Sequence, residues 1–233
     1  MDTRTYPRRG LHGAIVHEIG MRIIRGDLLP GESLPSEEEL GGGHGISRTV
    51  LREAIKVLAA KRLVESRPKT GTRVLPRRDW NLMDPDVLAW RLEAGPDEQF
   101  FADVIELRRI IEPEAAHLAA SRATEEEIDE LRQVFDAMEA AVDDGDAYLA
   151  PDIRFHTLIL EASHNELLAQ VGTMLRAVFR ALFIRTAATR PGALSFHREI
   201  VDAIEAGDAD AAERATRTLI DDTAASLARG VPL

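Results

Sequence analysis

The sequence has no cysteine. That absence excludes a disulfide scaffold, a thiolate zinc ribbon, a cysteine-ligated iron–sulfur centre and a cysteine nucleophile. Long apolar runs are also missing. Charged residues make up 30% of the 233, and no stretch reads as the ~20 consecutive apolar residues of a membrane span. The opening decapeptide carries charge but no apolar segment, so no secretory signal is read there. No period of solenoid type is visible. A cytoplasmic protein without a membrane partner is the expectation, built from one large or two modest domains.

What is present is unevenly charged. Residues 1–78 hold 15 Lys/Arg against 9 Asp/Glu, a balance of +6, while residues 79–233 hold 14 against 31, a balance of −17. A basic small half joined to an acidic large half points to a polyanion binder carrying a separate module. Chance variation of surface charge gives such splits too, so the motifs must decide.

The pattern predicts a mainly α chain. Apolar spacing gives a first helix over Leu11–Arg25. Ser36 and Glu39 form a capping box for a short second helix. The glycines at 41, 42, 43 and 45 cannot be good helix and mark a turn. Ser47 then caps a third helix, Arg48–Lys61, whose buried side holds Val50, Leu51, Ala54, Ile55, Val57 and Leu58. Strands at 63–66 and 72–75 flank a basic turn. Helix, helix, helix, hairpin is the order of a winged helix-turn-helix, read over residues 1–76. Residues 77–96 read as a linker. From 97 to 233 the pattern is helical throughout, with segments near 97–121, 125–143, 147–163, 166–188, 193–206 and 208–229. Thr124 and Glu127 make another capping box. The second half is therefore expected to be an all-α antiparallel bundle.

A recognition helix must carry base-reading side chains on one face and core residues on the other. Arg48 and Arg52 are four apart and share a face, with Thr49 beside them. Arginine can bridge guanine O6 and N7. Lys56 extends that face toward a phosphate. Arg67, Lys69 and Arg73 make the hairpin basic, and Gly71 lets backbone approach closely. The DNA-contacting set is read as Ser47, Arg48, Thr49, Arg52, Lys56, Arg67, Lys69 and Gly71. The bland alternative is a solvated helix face with surface pairs such as Glu53–Lys56.

In the acidic half, ionisable residues interrupt faces that should be buried. Arg108 shares a face with Val104, Ile111, Ala115 and Leu118. Asp152 and His156, at i and i+4, can bring a carboxylate oxygen and an imidazole nitrogen onto one metal. His197 is a third candidate ligand. Arg185 falls on the face of Val178 and Leu182 and joins Arg108 as a candidate effector contact. Buried charges must be paired or bound to something, so a satisfied pair of Asp152 with Arg108 or a histidine is the alternative to a ligand site. His164-Asn165 reads as a helix cap, His117 as structural, and His12, His17 and His44 form no metal pattern.

Three stretches, Leu34–Leu40, Gly45–Leu58 and Leu63–Val74, resemble the GntR-type bacterial transcription regulators over residues 11–75. The resemblance implies base and phosphate contacts by Arg48, Thr49 and Arg52 and a wing tip at Gly71. Glu38 departs from members that carry a base-touching arginine there. Glu106–Ala120, Asp152–His156 with Asn165, and His197–Ala212 resemble the helical C-terminal (FCD) domain of the FadR-type branch. That implies a divalent metal held by one Asp and three His, with an arginine, here Arg108, gripping a carboxylate effector. Asp152, His156 and His197 fill three positions, and Leu219 stands at the fourth, with Asp222 one turn on as a substitute. Zinc, nickel and manganese all suit such N/O ligands. Trp80–Trp90, Asp152–His156 and Ser163–Asn165 are similar to regulators of sugar-acid operons, the galactonate-operon repressor group among them. Pro151 departs from that group, and a helix starting at the proline would accommodate it.

These readings converge on a metabolite-responsive repressor that is not an enzyme. It would bind double-stranded operator DNA as a homodimer on an inverted repeat and be released by a sugar-acid effector such as galactonate or a 2-keto-3-deoxy acid. Competing readings are a metal-dependent hydrolase fused to a DNA-binding module, a regulator answering another carboxylate, and an architectural DNA protein.

Overall fold

A computed structural model describes residues 10–35, 48–67, 71–186 and 190–228. The chain divides into two units, Met1–Pro96 and Asp97–Leu233.

In the first unit, helix α1 (Leu11–Arg25) buries Ile15, Val16, Ile19 and Ile23. It ends at Gly26, whose φ of 83° is the left-handed conformation glycine adopts without strain. Helix α2 (Arg48–Ala60) packs Leu51, Ala54 and Leu58 against α1. Strands β1 (Val64–Arg67) and β2 (Gly71–Val74) pair antiparallel with Val64 opposite Val74. Both of these valines enter the core. The stretch before the helix-turn-helix adds to this sheet through an isolated bridge of Ser33 with Arg73. Ser36, Glu38, Glu39, the glycines at 41–43 and 45, Ser47 and Lys69 lie outside the described residues, as does the side chain of Arg48.

Residues 77–96, expected to be a linker, belong to this unit instead. A 3-10 turn (Arg77–Asp79) leads to helix α3 (Pro85–Glu93), which the sequence reading missed although Asp84 and Pro85 form an N-cap and N1 pair. Trp90 of α3 is 2% exposed and lies so close to α1 that a Cβ on Gly20 would meet its ring at 2.6 Å. Its indole donates to His17 Nδ1 at 3.0 Å. The buried Lys61 ammonium donates to Asp84 at 3.0 Å and to Asp86 at 2.5 Å. A segment carrying a buried tryptophan and two carboxylates onto one buried lysine is packed chain, which is why it does not behave as a linker.

The second unit is the expected bundle. Its helices are α4 (Glu98–Arg122), α5 (Glu125–Ala140), α6 (Gly145–Ala162), α7 (Glu166–Thr186), α8 (Arg190–Glu205) and α9 (Ala209–Ala228). α4 packs on α9, α9 on α8, α5 on α6, and α6 on α7 and α4. The Thr124–Glu127 capping box is present at α5. His164 adopts a left-handed φ of 50° after α6, and Asn165 caps α7 by accepting from Leu167 N at 3.0 Å. Pro151 does not start its helix. Asp144 caps α6 upstream, accepting from the Asp146 and Ala147 amides, so the proline sits inside the helix. α7 is long and apolar enough to cross a membrane by composition, with mean hydropathy 1.5. Leu175, Val178, Phe179 and Leu182 are nevertheless buried within the bundle, and Arg176, Arg180 and Arg185 interrupt the helix's apolar sequence.

Both tryptophans lie in the first unit, so their fluorescence follows that unit's unfolding. Gly20→Ala is expected to cost ~1–3 kcal/mol by overpacking against Trp90. Lys61→Met strands the carboxylate of Asp86, 0% exposed, and is expected to cost ~3–5 kcal/mol. Urea titration monitored by tryptophan emission measures both. Parental midpoints would show that α3 does not depend on these contacts.

Candidate functional site

On α2 the division expected of a recognition helix is met in part, since Val50, Ile55 and Val57 are only half-buried. Thr49, Arg52 and Lys56 are exposed while Leu51, Ala54 and Leu58 are buried. Arg52 points to solvent. Lys56 pairs with Glu53 at 2.7 Å, and Arg67 in the hairpin pairs with Glu65 at 2.8 Å. Such exposed pairs are weak and exchange readily for a phosphate partner. Gly71 is exposed with φ 79°, and an added Cβ there would meet nothing within 4 Å. The open space means backbone conformation, and not crowding, is what calls for glycine at this position.

The second candidate site lies inside the bundle. α4 contributes Arg108, 4% exposed, α6 contributes Asp152 and the buried His156, and α8 contributes His197, 3% exposed. The ligand atoms of Asp152, His156 and His197 all lie within 4.8 Å of one another. His197 Nε2 is 3.7 Å from Asp152 Oδ1, and the two imidazole rings are 5.6 Å apart.

Each histidine has one nitrogen engaged outside the cluster. His197 Nδ1 is 2.8 Å from the Ala193 carbonyl. A carbonyl only accepts, so Nδ1 carries the proton and Nε2 presents a lone pair. That Nε2 is buried without a hydrogen-bond partner. Burial, with His156 nearby, pushes the His197 imidazole down to about 3 despite the Ala193 bond, so the ring is neutral at ordinary pH. His156 Nδ1 is 3.1 Å from Glu112 Oε2, and Arg108 Nη2 lies 3.5 Å from each of its ring nitrogens, a long contact that a ligand at Nε2 would replace. A neutral imidazole with one nitrogen tied to an oxygen acceptor is the arrangement that zinc, nickel and manganese ligands share. The orphaned His197 nitrogen and this donor set fit a divalent ion, with Asp152, His156 and His197 holding it.

Glu112 is the main residue that the sequence reading missed. It is 2% exposed and takes two hydrogen bonds from Arg108, at 2.6 Å from Nε and 3.1 Å from Nη2. Burial alone would raise its carboxyl. Arg108 and His156 outweigh burial and hold it at about 2. Arg108 is raised in turn, Glu112 overcoming the cost of burial. The signal was available in the i, i+4 arginine–glutamate spacing. The structure thus pairs Arg108 with Glu112, and of the Asp152 partners weighed from sequence it brings the histidine, His197, to 3.7 Å. The Nε–Nη2 edge of Arg108 is used on Glu112, Nη2 lies 3.5 Å from both His156 nitrogens, and among the described residues Nη1 makes no hydrogen bond. The guanidinium carbon sits 5.2 Å from the centre of the Phe179 ring.

Arg108, Asp152, His156 and His197 line one cavity with Tyr148, Phe179, Thr186, Leu219, Asp222 and Thr223. Leu219, standing at the fourth ligand position, is an apolar wall, and Asp222 reaches the lining but not the three-ligand cluster. Arg185 does not join this site. It lines a separate 370 Å³ cavity with Phe101, Ile105 and Leu227, its guanidinium 5.0 Å from the Phe101 ring centre. Sharing a face with Leu182 was not enough, because at ~100° per residue Arg185 lies about 120° around α7 from Phe179, whereas Thr186 lies within about 20° of it. His117, expected to be structural, is partly exposed between Asp210 at 3.7 Å and Glu213 at 4.0 Å.

The gntR family of bacterial regulatory proteins matches residues 11–74, and the FCD domain matches residues 103–222. The galactonate operon transcriptional repressor of Escherichia coli is 38% identical over 210 residues, which cover 88% of this chain and 92% of that protein. The HTH-type transcriptional regulator YieP of the same organism is 33% identical, covering 91% and 94%. The solved structure of Streptococcus agalactiae GntR aligns with a TM-score of 0.51 at 26% identity, covering 91% of this chain and 98% of that one. With an exposed basic face on α2, a helical bundle and both domains matched in order, the chain belongs to the GntR family of bacterial transcription regulators, with a C-terminal FCD domain.

Proposed function

We propose that this regulator is a repressor of a sugar-acid operon, that it binds an inverted-repeat operator as a homodimer, and that a sugar acid such as galactonate or a 2-keto-3-deoxy acid releases it. The observation that carries the effector half is the group of buried Arg108, His156 and His197 with half-buried Asp152 in one cavity. A carboxylate is served by the unused Nη1 edge of Arg108. Sugar hydroxyls are served by Asp222, Thr186 and Thr223 on the same lining. The name of the Escherichia coli relative supports a galactonate-class ligand. Thr49, Arg52 and Lys56 support operator contact through the major groove and flanking phosphates, with Arg67 and Gly71 in the wing and Ser47, Arg48 and Lys69 carried by the motif.

A divalent ion held by Asp152, His156 and His197 would supply a fixed positive charge for the effector's carboxylate or hydroxyl oxygens. The protein's own residues do the remaining work. Glu112 orients Arg108 and His156, Phe179 covers the guanidinium, and Leu219 closes the wall. Regulation fits these residues better than hydrolysis. A carboxylate held at about 2 and bonded to both Arg108 and His156 is a poor general base.

The cavity encloses about 50 Å³. Small-molecule sites usually run to ~300–1,000 Å³, so this one has room for an ion and a water but not for a hexonate. Effector entry therefore opens the cavity, and an arrangement that binds effector differs from the closed one. That difference is what lets a ligand shift the population away from the DNA-competent form.

Arg52→Ala is expected to weaken operator binding about 5- to 150-fold, as loss of ~1–3 kcal/mol from a bidentate base contact requires, with the far-UV circular dichroism of the parent. Gel shifts at matched salt measure this, and parental affinity would remove Arg52 from the interface. For the effector site, Arg108→Lys keeps a cation beside Glu112 but loses the second donor edge. It is expected to bind operator normally and to ignore galactonate, whereas a parental response would place the carboxylate elsewhere. Chelation of the purified protein is expected to lower both its thermal midpoint and its galactonate affinity, because an ion bound only to the folded state stabilises it. Elemental analysis before and after chelation, with calorimetry alongside, checks the pair. A protein that takes up no ion yet answers galactonate would leave a purely organic pocket.

A further inference from the structure

Glu112 touches both arms of the site. One oxygen, Oε1, accepts from Arg108 Nε at 2.6 Å, while Oε2 accepts from Arg108 Nη2 at 3.1 Å and lies 3.1 Å from His156 Nδ1. It is 2% exposed. Building on the metal and effector site proposed above, we infer that Glu112 is its positioning residue. By accepting the hydrogen bond from Nδ1–H it fixes the His156 tautomer whose Nε2, 3.5 Å from Arg108 Nη2, keeps the lone pair that an ion held with Asp152 and His197 would take. By filling the Nε–Nη2 edge of Arg108 it leaves the effector carboxylate a single approach, along Nη1.

The physical basis is that a neutral imidazole has one donor and one acceptor nitrogen, and the hydrogen bond at one decides which the other is. Without an acceptor at Nδ1, His156 divides between two tautomers, and only one of them can ligate through Nε2. Acceptors of this kind typically change metal affinity ~10–100-fold when removed. Arg108 acts on the same ion with the opposite sign, since a guanidinium beside the ligands repels a cation. A merely structural ion pair predicts something else, namely that losing either partner weakens the site alike through loss of packing.

The test uses the full-length protein, stripped and titrated with zinc alone against a chromophoric chelator. Glu112→Gln, which keeps the shape and removes the charge, is expected to bind zinc ~10–100-fold more weakly. Arg108→Met is expected to bind it more tightly than the parent. The double variant Arg108→Met/Glu112→Met leaves no buried charge unpaired and so guards against failure to fold. It too is expected to bind zinc more weakly than the parent. In the zinc-free protein, 15N imidazole shifts are expected to show His156 protonated on Nδ1 in the parent and in Arg108→Met, and divided between the two nitrogens in the double variant. Equal weakening by Glu112→Gln and Arg108→Met, or a His156 tautomer unchanged in the double variant, overturns the assignment. If the parent itself takes up no zinc, the metal reading fails separately. The tautomer measurement still decides whether Glu112 positions His156.

Discussion

Arg108 and Glu112 lie one helical turn apart on α4, both at or below 4% exposure, and neither could be there without the other. An ion left alone in a bundle core costs several kcal/mol. Once paired, the two can be held inside the bundle, with Arg108 against the Phe179 ring, and their remaining hydrogen-bonding capacity is directed to the site. Glu112 has an oxygen left for His156, and Arg108 has an edge left for the cavity. His197 completes the arrangement from α8, its Nδ1 held by the Ala193 carbonyl of its own helix. The polar centre is thus built outward from one ion pair.

The same constraint shapes the first unit with different residues. Lys61, at the end of α2, is 3% exposed and is neutralised by Asp84 and Asp86. Asp84 has two tasks, since it also caps α3 by accepting from the amides of Asp86 and Val87. Fixing α3 brings Trp90 over Gly20, where the missing side chain makes room for the ring. The DNA-binding unit therefore extends past its hairpin, and the exposed face of α2 is carried on a core that includes α3.

Small free volume and buried polarity together set how the bundle site can work. A cavity of about 50 Å³ lined by an arginine, two carboxylates and two histidines is dense with fixed charge and short of space. On the proposed reading, preorganised polar groups would recognise an anion at low cost, and the lack of room would couple that recognition to movement of the lining. A site that were both spacious and charged would bind its ligand with no mechanical consequence, and one without polar groups would not select a sugar acid.

Sequence by itself determined whatever depends on neighbours along the chain. The main helical segments of the second unit, the Thr124–Glu127 box, the exposed face of Thr49, Arg52 and Lys56, and the shared face of Asp152 and His156 follow from local periodicity and capping, whereas α3 and the upstream start of α6 were not read. The Arg108–Glu112 spacing belonged to this class too and was overlooked. Tertiary structure decided the rest. It brought His197 of α8 to Asp152 and His156 of α6, turned Arg185 into a different cavity, and made packed structure of a segment that reads as a linker. The reason is that periodicity says which side chains share a face but not which helix that face will meet. Which helices meet, and how much space remains between them, follows from the fit of all the side chains together.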